Sequence, residues 1–147
     1  MNIEIISRDT AEKIITGGFS ENTAVISFYN PKSRRTPTGY IALDYSGVCN
    51  RVFYVGIHDI DIEILSDYGL TFETYFPEAD ELAQFIKKAK HDGCQIICQC
   101  EYGQSRSAAW AAAIKEYYDK SGIEIFADYR YYPNQLIFNK LLDALKK

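Results

Sequence analysis

The amino-acid sequence predicts an α/β fold in which a central, mainly parallel sheet is flanked by helices. Four short runs, "NIEII", "TAVISFY", "RVFYVGI" and "CQIICQC", are rich in the β-branched and aromatic residues that suit a buried, pleated surface. Segments of helical period lie between or after them. At 147 residues the chain can bury one sizeable core, and no linker-like, repeated or low-complexity stretch divides it, so residues 1–147 are read as a single domain.

The first strand run is followed by a short helical pattern over residues 10–15, stopped by Gly17 and Gly18. After "TAVISFY" comes "NPKSRRTPTG", a loop by its turn formers, which carries the closely spaced cations Lys32, Arg34 and Arg35. Its bland reading is a solvated loop; its functional one is a rim that attracts an anion. "RVFYVGI" leads into "HDIDIEILSDYGLT", which could hold a short helix but whose aspartates and Gly69 favour a long, mostly irregular loop. A helix is expected to start near Pro77, which suits a first helical position because it lacks an N–H. Ala79, Leu82, Phe85, Ile86 and Ala89 form its apolar stripe, and Glu78, Asp80 and Glu81 sit near the positive end of its dipole. "CQIICQC" reads as a fully buried strand. The helix from residue 105 to about 118 is apolar on most sides through "AAWAAAI", with Trp110 a core residue, so it belongs at the centre of the fold. The last helix runs from about residue 133 or 134 to 145, with Phe138, Leu141, Leu142 and Leu145 on one side. Tyr117, Tyr118, Tyr129, Tyr131 and Tyr132 are expected to fill space where the helix and its connection pack.

Sixteen basic against 20 acidic residues give a net charge of -4, and the cations form no block of the kind that tracks a phosphate backbone. Nucleic acid is therefore not an expected partner. The amino terminus does not resemble a secretion signal, and no apolar run nears the roughly 20 residues that span a bilayer. A soluble, cytoplasmic protein with no membrane partner is the expectation. Cys49, Cys94, Cys98 and Cys100 are read as reduced thiols, since a chain this long folds without staples. Their spacing lacks the paired arrangement of a structural zinc site, so no metal and no cofactor are predicted. Cys94 and Cys98 are small core fillers on this reading; Cys98 could act as a resolving thiol only if it came near Cys100. His58 and His91 stand alone, in surface or capping roles.

The densest signal is "CEYGQSRS", set between the buried strand and the central helix. A tight loop in that setting turns successive backbone N–H groups inward, and the helix start adds unpaired donors and partial positive charge. Such a nest suits a tetrahedral dianion. Gly103 permits a left-handed turn and close backbone approach. Arg106 can offer two parallel donors to phosphate oxygens. Cys100 at the base of this electropositive bowl is favoured as the thiolate, a nucleophile aimed at phosphorus, with a phosphocysteine as product. Ser107 could donate a hydrogen bond to the sulfur and ease its departure. Glu101, Tyr102, Gln104 and Ser105 would contribute mainly backbone amides to phosphate binding. The bland alternative, a buried Cys100, a capping Ser105 and an exposed Arg106, explains a helix but not Gly103 and Ser107 together.

On these residues the stretch resembles the signature loop of the cysteine-dependent protein tyrosine phosphatase superfamily, nearest its dual-specificity-like branch: Cys, five residues, Arg, then Ser or Thr, with a central Gly. The resemblance implies a phosphatase-like domain, with Cys100 as nucleophile, Arg106 as phosphate ligand and Ser107 as the assisting hydroxyl. It implies a metal-independent phosphomonoester hydrolase, a protein tyrosine or dual-specificity phosphatase acting on a phosphorylated protein or a small phosphomonoester. It also implies a general acid on a loop at the end of a strand upstream of the nucleophile, a description that fits "GIHDID". Asp59 comes directly off the strand and is favoured, Asp61 is a close second, and Asp67 lies too deep in the following segment. A local turn bond is the competing role for Asp59. The family commonly has His just before the nucleophile, where this chain has Gln99. A catalytically inactive relative that only binds phosphorylated ligands is thus the alternative reading, and a rhodanese-type sulfurtransferase a more distant one.

Overall fold

The computed structural model describes residues 2–147. Four strands, β1 (Ile3–Ile6), β2 (Thr23–Tyr29), β3 (Val52–Gly56) and β4 (Gln95–Gln99), form one sheet in the order β1-β4-β2-β3, and every neighbouring pair is parallel. Because the strands run the same way, their carboxyl ends share one edge. Ser7 and Arg8, Asn30, Ile57 to Asp59 and the loop after Cys100 all leave the sheet there.

Strand alternation sorts the residues into two cores. Ala24, Ile26 and Phe28 of β2 and Ile96 and Cys98 of β4 face helices α2 (Ala79–His91), α3 (Arg106–Asp119) and α5 (Gln135–Leu145). Val25 and Ile97 face helix α1 (Arg8–Gly17) and the segment around Tyr45. Trp110 anchors the larger core, fully buried, with its ring edge-on to Phe28 at 4.0 Å and 5.5 Å from Phe76. The whole apolar run from Ala108 to Ile114 is buried, which accounts for a helix with almost no polar face.

The structure differs from the sequence reading in several elements. Helix α1 is longer than residues 10–15 because Ser7 accepts a hydrogen bond from the Thr10 amide and caps it further upstream. Helix α2 begins at Ala79, two residues after Pro77, with Glu78 at its N-cap, and Phe76 just upstream takes a left-handed conformation (φ 61°). The stretch expected to be mostly irregular holds a 3₁₀ helix over Ile62–Tyr68, opened by Asp61, which accepts from the Glu63 amide, and closed by Gly69. A short helix, α4 (Ile123–Phe126), follows α3 without a predicting signal. Tyr129 and Tyr132, expected to pack, are 88% and 72% exposed. No described helix is long and apolar enough to cross a membrane.

Candidate active site

The loop from Cys100 to Arg106 is held by its carbonyls. The Arg8 amide donates to Glu101 O at 3.0 Å, the Tyr132 amide to Gln104 O at 2.7 Å, and the Asn134 amide to Ser105 O at 3.2 Å. Gln99 Nε2 donates to Cys100 O at 3.1 Å. Among the described residues the backbone N–H groups of Glu101, Tyr102, Gln104, Ser105 and Arg106 have no protein acceptor. A loop whose acceptors are tied outward while its donors stay free presents positive partial charge, the arrangement that receives an anion. Gly103 is obligatory here: its φ is 69°, and a Cβ would lie 2.8 Å from the Ser7 nitrogen and 2.9 Å from the Ile6 carbonyl carbon. The loop therefore lies directly against the end of β1.

Cys100 is 2% exposed. Its Sγ accepts from the Gly103 amide at 3.2 Å and lies 3.1 Å from Ser107 Oγ, itself fully buried in the first turn of α3. Arg106, 4% exposed, donates from Nη1 to Asn30 Oδ1 and to Ile57 O, both at 2.8 Å. The carboxyl ends of β2 and β3 thus anchor one nitrogen of the guanidinium. Nε and Nη2, the edge that presents two parallel donors, have no protein partner among the described residues.

A small cavity of about 100 Å³ is lined by Cys100, Arg106, Ser105 and Gln104 from the loop, by Asp59, and by Tyr102 and Tyr132. Asp59 accepts from Ser105 Oγ at 2.7 Å and from Asn134 Nδ2 at 2.9 Å, so the Ser105 hydroxyl serves the carboxylate instead of capping α3. Asn134 also donates to Ile60 O and caps α5 by accepting from the Ile137 amide, and Tyr75 Oη donates to His58 O at 2.6 Å. Asp61 is not in this cavity; it caps the 3₁₀ helix. Asp67 lies within that helix. His58 is half-buried against Tyr68, and burial, then the Arg106 and Arg35 charges, hold its imidazole below its ordinary pKa.

Gln99 occupies a buried node. Its Oε1 accepts from Ser27 Oγ at 2.6 Å and Tyr45 Oη at 2.7 Å, while its Nε2 holds the Cys100 carbonyl. The amide thereby links the backbone of Cys100 to β2 and to the segment beneath the sheet. The side chain of Glu101 points to another cluster: its carboxylate accepts from Tyr40 Oη and pairs with Arg8 at 3.6 Å. Tyr40 in turn accepts from the Asn30 amide. Burial, then the Glu101 bond, raise the Tyr40 pKa. Spacing had offered no hint of Asn30, Tyr40, Tyr45 or Asn134.

All four cysteines are free thiols. Cys98 is wholly buried on the helix-facing side of β4, where burial, then Cys100, push its thiol pKa up. That setting suits a core filler and not a resolving thiol. Lys32, Arg34 and Arg35 are all exposed, and Arg35 lies 4.0 Å over the Tyr68 ring and donates to Asp67 O. The described residues hold no group of three or more His, Cys, Asp or Glu placed to bind a metal ion.

No family model matches the chain, and no curated protein sequence matches it. Solved structures do. The human tyrosine phosphatase-like serine/threonine/tyrosine-interacting protein is 16% identical, with a TM-score of 0.54 over 93% of this chain and 83% of that one. PTPMT1, solved in complex with PI(5)P, is 13% identical, with a TM-score of 0.58 over 99% and 90%. Human DUSP28 is 17% identical, with a TM-score of 0.57 over 98% and 91%. The chain therefore shares the fold of these phosphatase-type proteins.

Proposed function

We propose that this chain, which folds as the cysteine-based phosphatases do, is a metal-independent phosphomonoester hydrolase working through a phosphocysteine. One observation carries the reading: Cys100 Sγ lies in a loop four of whose carbonyls accept from neighbouring segments while the amides of Glu101, Tyr102, Gln104, Ser105 and Arg106 have no protein acceptor among the described residues, beside an arginine with an open bidentate edge. In the first step the Cys100 thiolate attacks phosphorus, a P–S bond forms, and the P–O bond to the leaving group breaks. Asp59 donates its proton to the departing oxygen. In the second step water attacks the phosphocysteine, Asp59 takes a proton from it, the P–S bond breaks and inorganic phosphate leaves. The Ser107 hydroxyl, 3.1 Å from the sulfur, stabilises the thiolate as it departs. The free amides and the Nε/Nη2 edge of Arg106 hold the equatorial oxygens through both steps. The four free thiols fit a reducing compartment such as the cytoplasm.

The test is hydrolysis of a generic aryl phosphate in the presence of a chelator. Turnover is expected to persist with chelator and to vanish in Cys100→Ser, and acid quenching of the wild-type reaction should trap a phosphocysteine. Metal-dependent turnover, or turnover that survives in Cys100→Ser, would overturn the proposal. Phosphate binding without any turnover would favour a module that only recognises phosphorylated ligands.

A further inference from the structure

The small cavity over Cys100 borders a much larger groove of about 580 Å³, and the two share Asp59, Ser105 and Tyr132 in their linings. One side of the groove is the start of the 3₁₀ helix with Asp61, Ile62 and Glu63; Phe72 and the residues entering α5 supply the rest. Its apolar lining is open to solvent, with Ile62 62%, Phe72 39% and Tyr132 72% exposed. Its charged lining has one sign. Asp59, Asp61 and Glu63 are the charged side chains of the groove, and no lysine or arginine lines it. Lys140, beside Phe72, directs its ammonium to the Phe72 and Glu73 carbonyls and lines a different cavity.

A ligand whose phosphate sits over Cys100 and whose remainder passes Asp59 and Tyr132 enters this groove. A phosphoinositide or nucleotide would bring further phosphates toward three carboxylates, at an electrostatic cost. An extended peptide with basic and apolar side chains matches both the charge and the exposed Ile62 and Phe72. Resting on the phosphatase reading above, we infer that the substrate is a phosphorylated protein segment, and that this groove selects basic and apolar residues next to the phosphorylated one. The cationic loop bearing Lys32 and Arg34 does not line the groove and lies along a separate cavity with Asn30 and Tyr40.

Fluorescence anisotropy with the Cys100→Ser protein tests this, using two labelled phosphotyrosine peptides that differ only in carrying Arg or Glu on both sides of the phosphorylated residue. The Arg peptide should bind at least about fivefold more tightly, the sum of several weak exposed ion pairs, and the preference should shrink as salt rises. In the double variant Cys100→Ser/Glu63→Lys the preference should fall to near unity, with Glu63→Gln intermediate. Equal affinity for the two peptides, a preference indifferent to Glu63, or tighter binding to vesicles containing a phosphoinositide would overturn the inference. Aryl phosphate hydrolysis by the wild-type protein is scored separately. Its absence counts against the hydrolase, while the binding data still decide the groove.

Discussion

Gln99 shows how much of the site depends on a single neutral side chain. Replacing it by Ala strands the Ser27 and Tyr45 hydroxyls and the Cys100 carbonyl in a buried place. The expected loss is about 1–3 kcal/mol in denaturant unfolding, whereas Tyr45→Phe, which removes one donor and leaves Gln99 a second, should cost about 1 kcal/mol. Gly103→Ala faces both a left-handed backbone and a clash with β1, so phosphate affinity should fall together with stability, read by calorimetry and by thermal melting. The two aspartates should separate in kinetics. Asp59→Asn removes the carboxyl group that shares the Cys100 cavity and should lower kcat by about 10²–10⁴-fold and abolish the basic limb of the pH profile. Asp61→Ala removes a helix cap, costing about 1 kcal/mol of stability with a far smaller fall in turnover.

The start of α5 carries more than its own helix. Asn134 caps it, holds Asp59 and holds the Ile60 carbonyl, while its amide binds Ser105. Asn134→Ala should therefore destabilise the fold by about 1–2 kcal/mol and also reduce kcat, and Asn134→Asp, which keeps the cap but sets two carboxylates together, should restore stability more than turnover. Such links also mark where sequence reading stops. Strands β1 to β4, α3 and α5 were legible because apolar period and flanking glycines are local signals. So was the Cys100 to Arg106 loop, whose residues are contiguous. The partners of that loop were not: Asn30 reaches Arg106 across 76 residues, and Asn134 reaches Asp59 across 75. Nothing in the composition of those stretches encodes which distant group they meet. The 3₁₀ helix was passed over because the aspartates and Gly69 read as marks of irregular chain, whereas Asp61 and Gly69 are its two caps. Tyr129 and Tyr132 were misplaced because an aromatic residue's burial is decided by neighbours that period alone does not reveal.

The larger of the two cores lies between the sheet and α2, α3 and α5, around Trp110. Trp110→Ala should cost about 3–5 kcal/mol, a large part of the roughly 5–15 kcal/mol that keeps a domain folded. Trp110→Phe should cost less, because it also removes an indole N–H that has no hydrogen-bond partner. Both are checked by urea titration. The placement of β4 between β1 and β2 bears on how the chain is made. During synthesis Ile3–Ile6 has no correct neighbour until Gln95–Gln99 has left the ribosome, a wait of about 5–20 s at ordinary elongation rates. Throughout that interval β2 shows an open edge to which the first strand could pair wrongly. A nascent chain stalled before β4 should be protease-sensitive and bound by chaperones, and one stalled well after α5 should be neither.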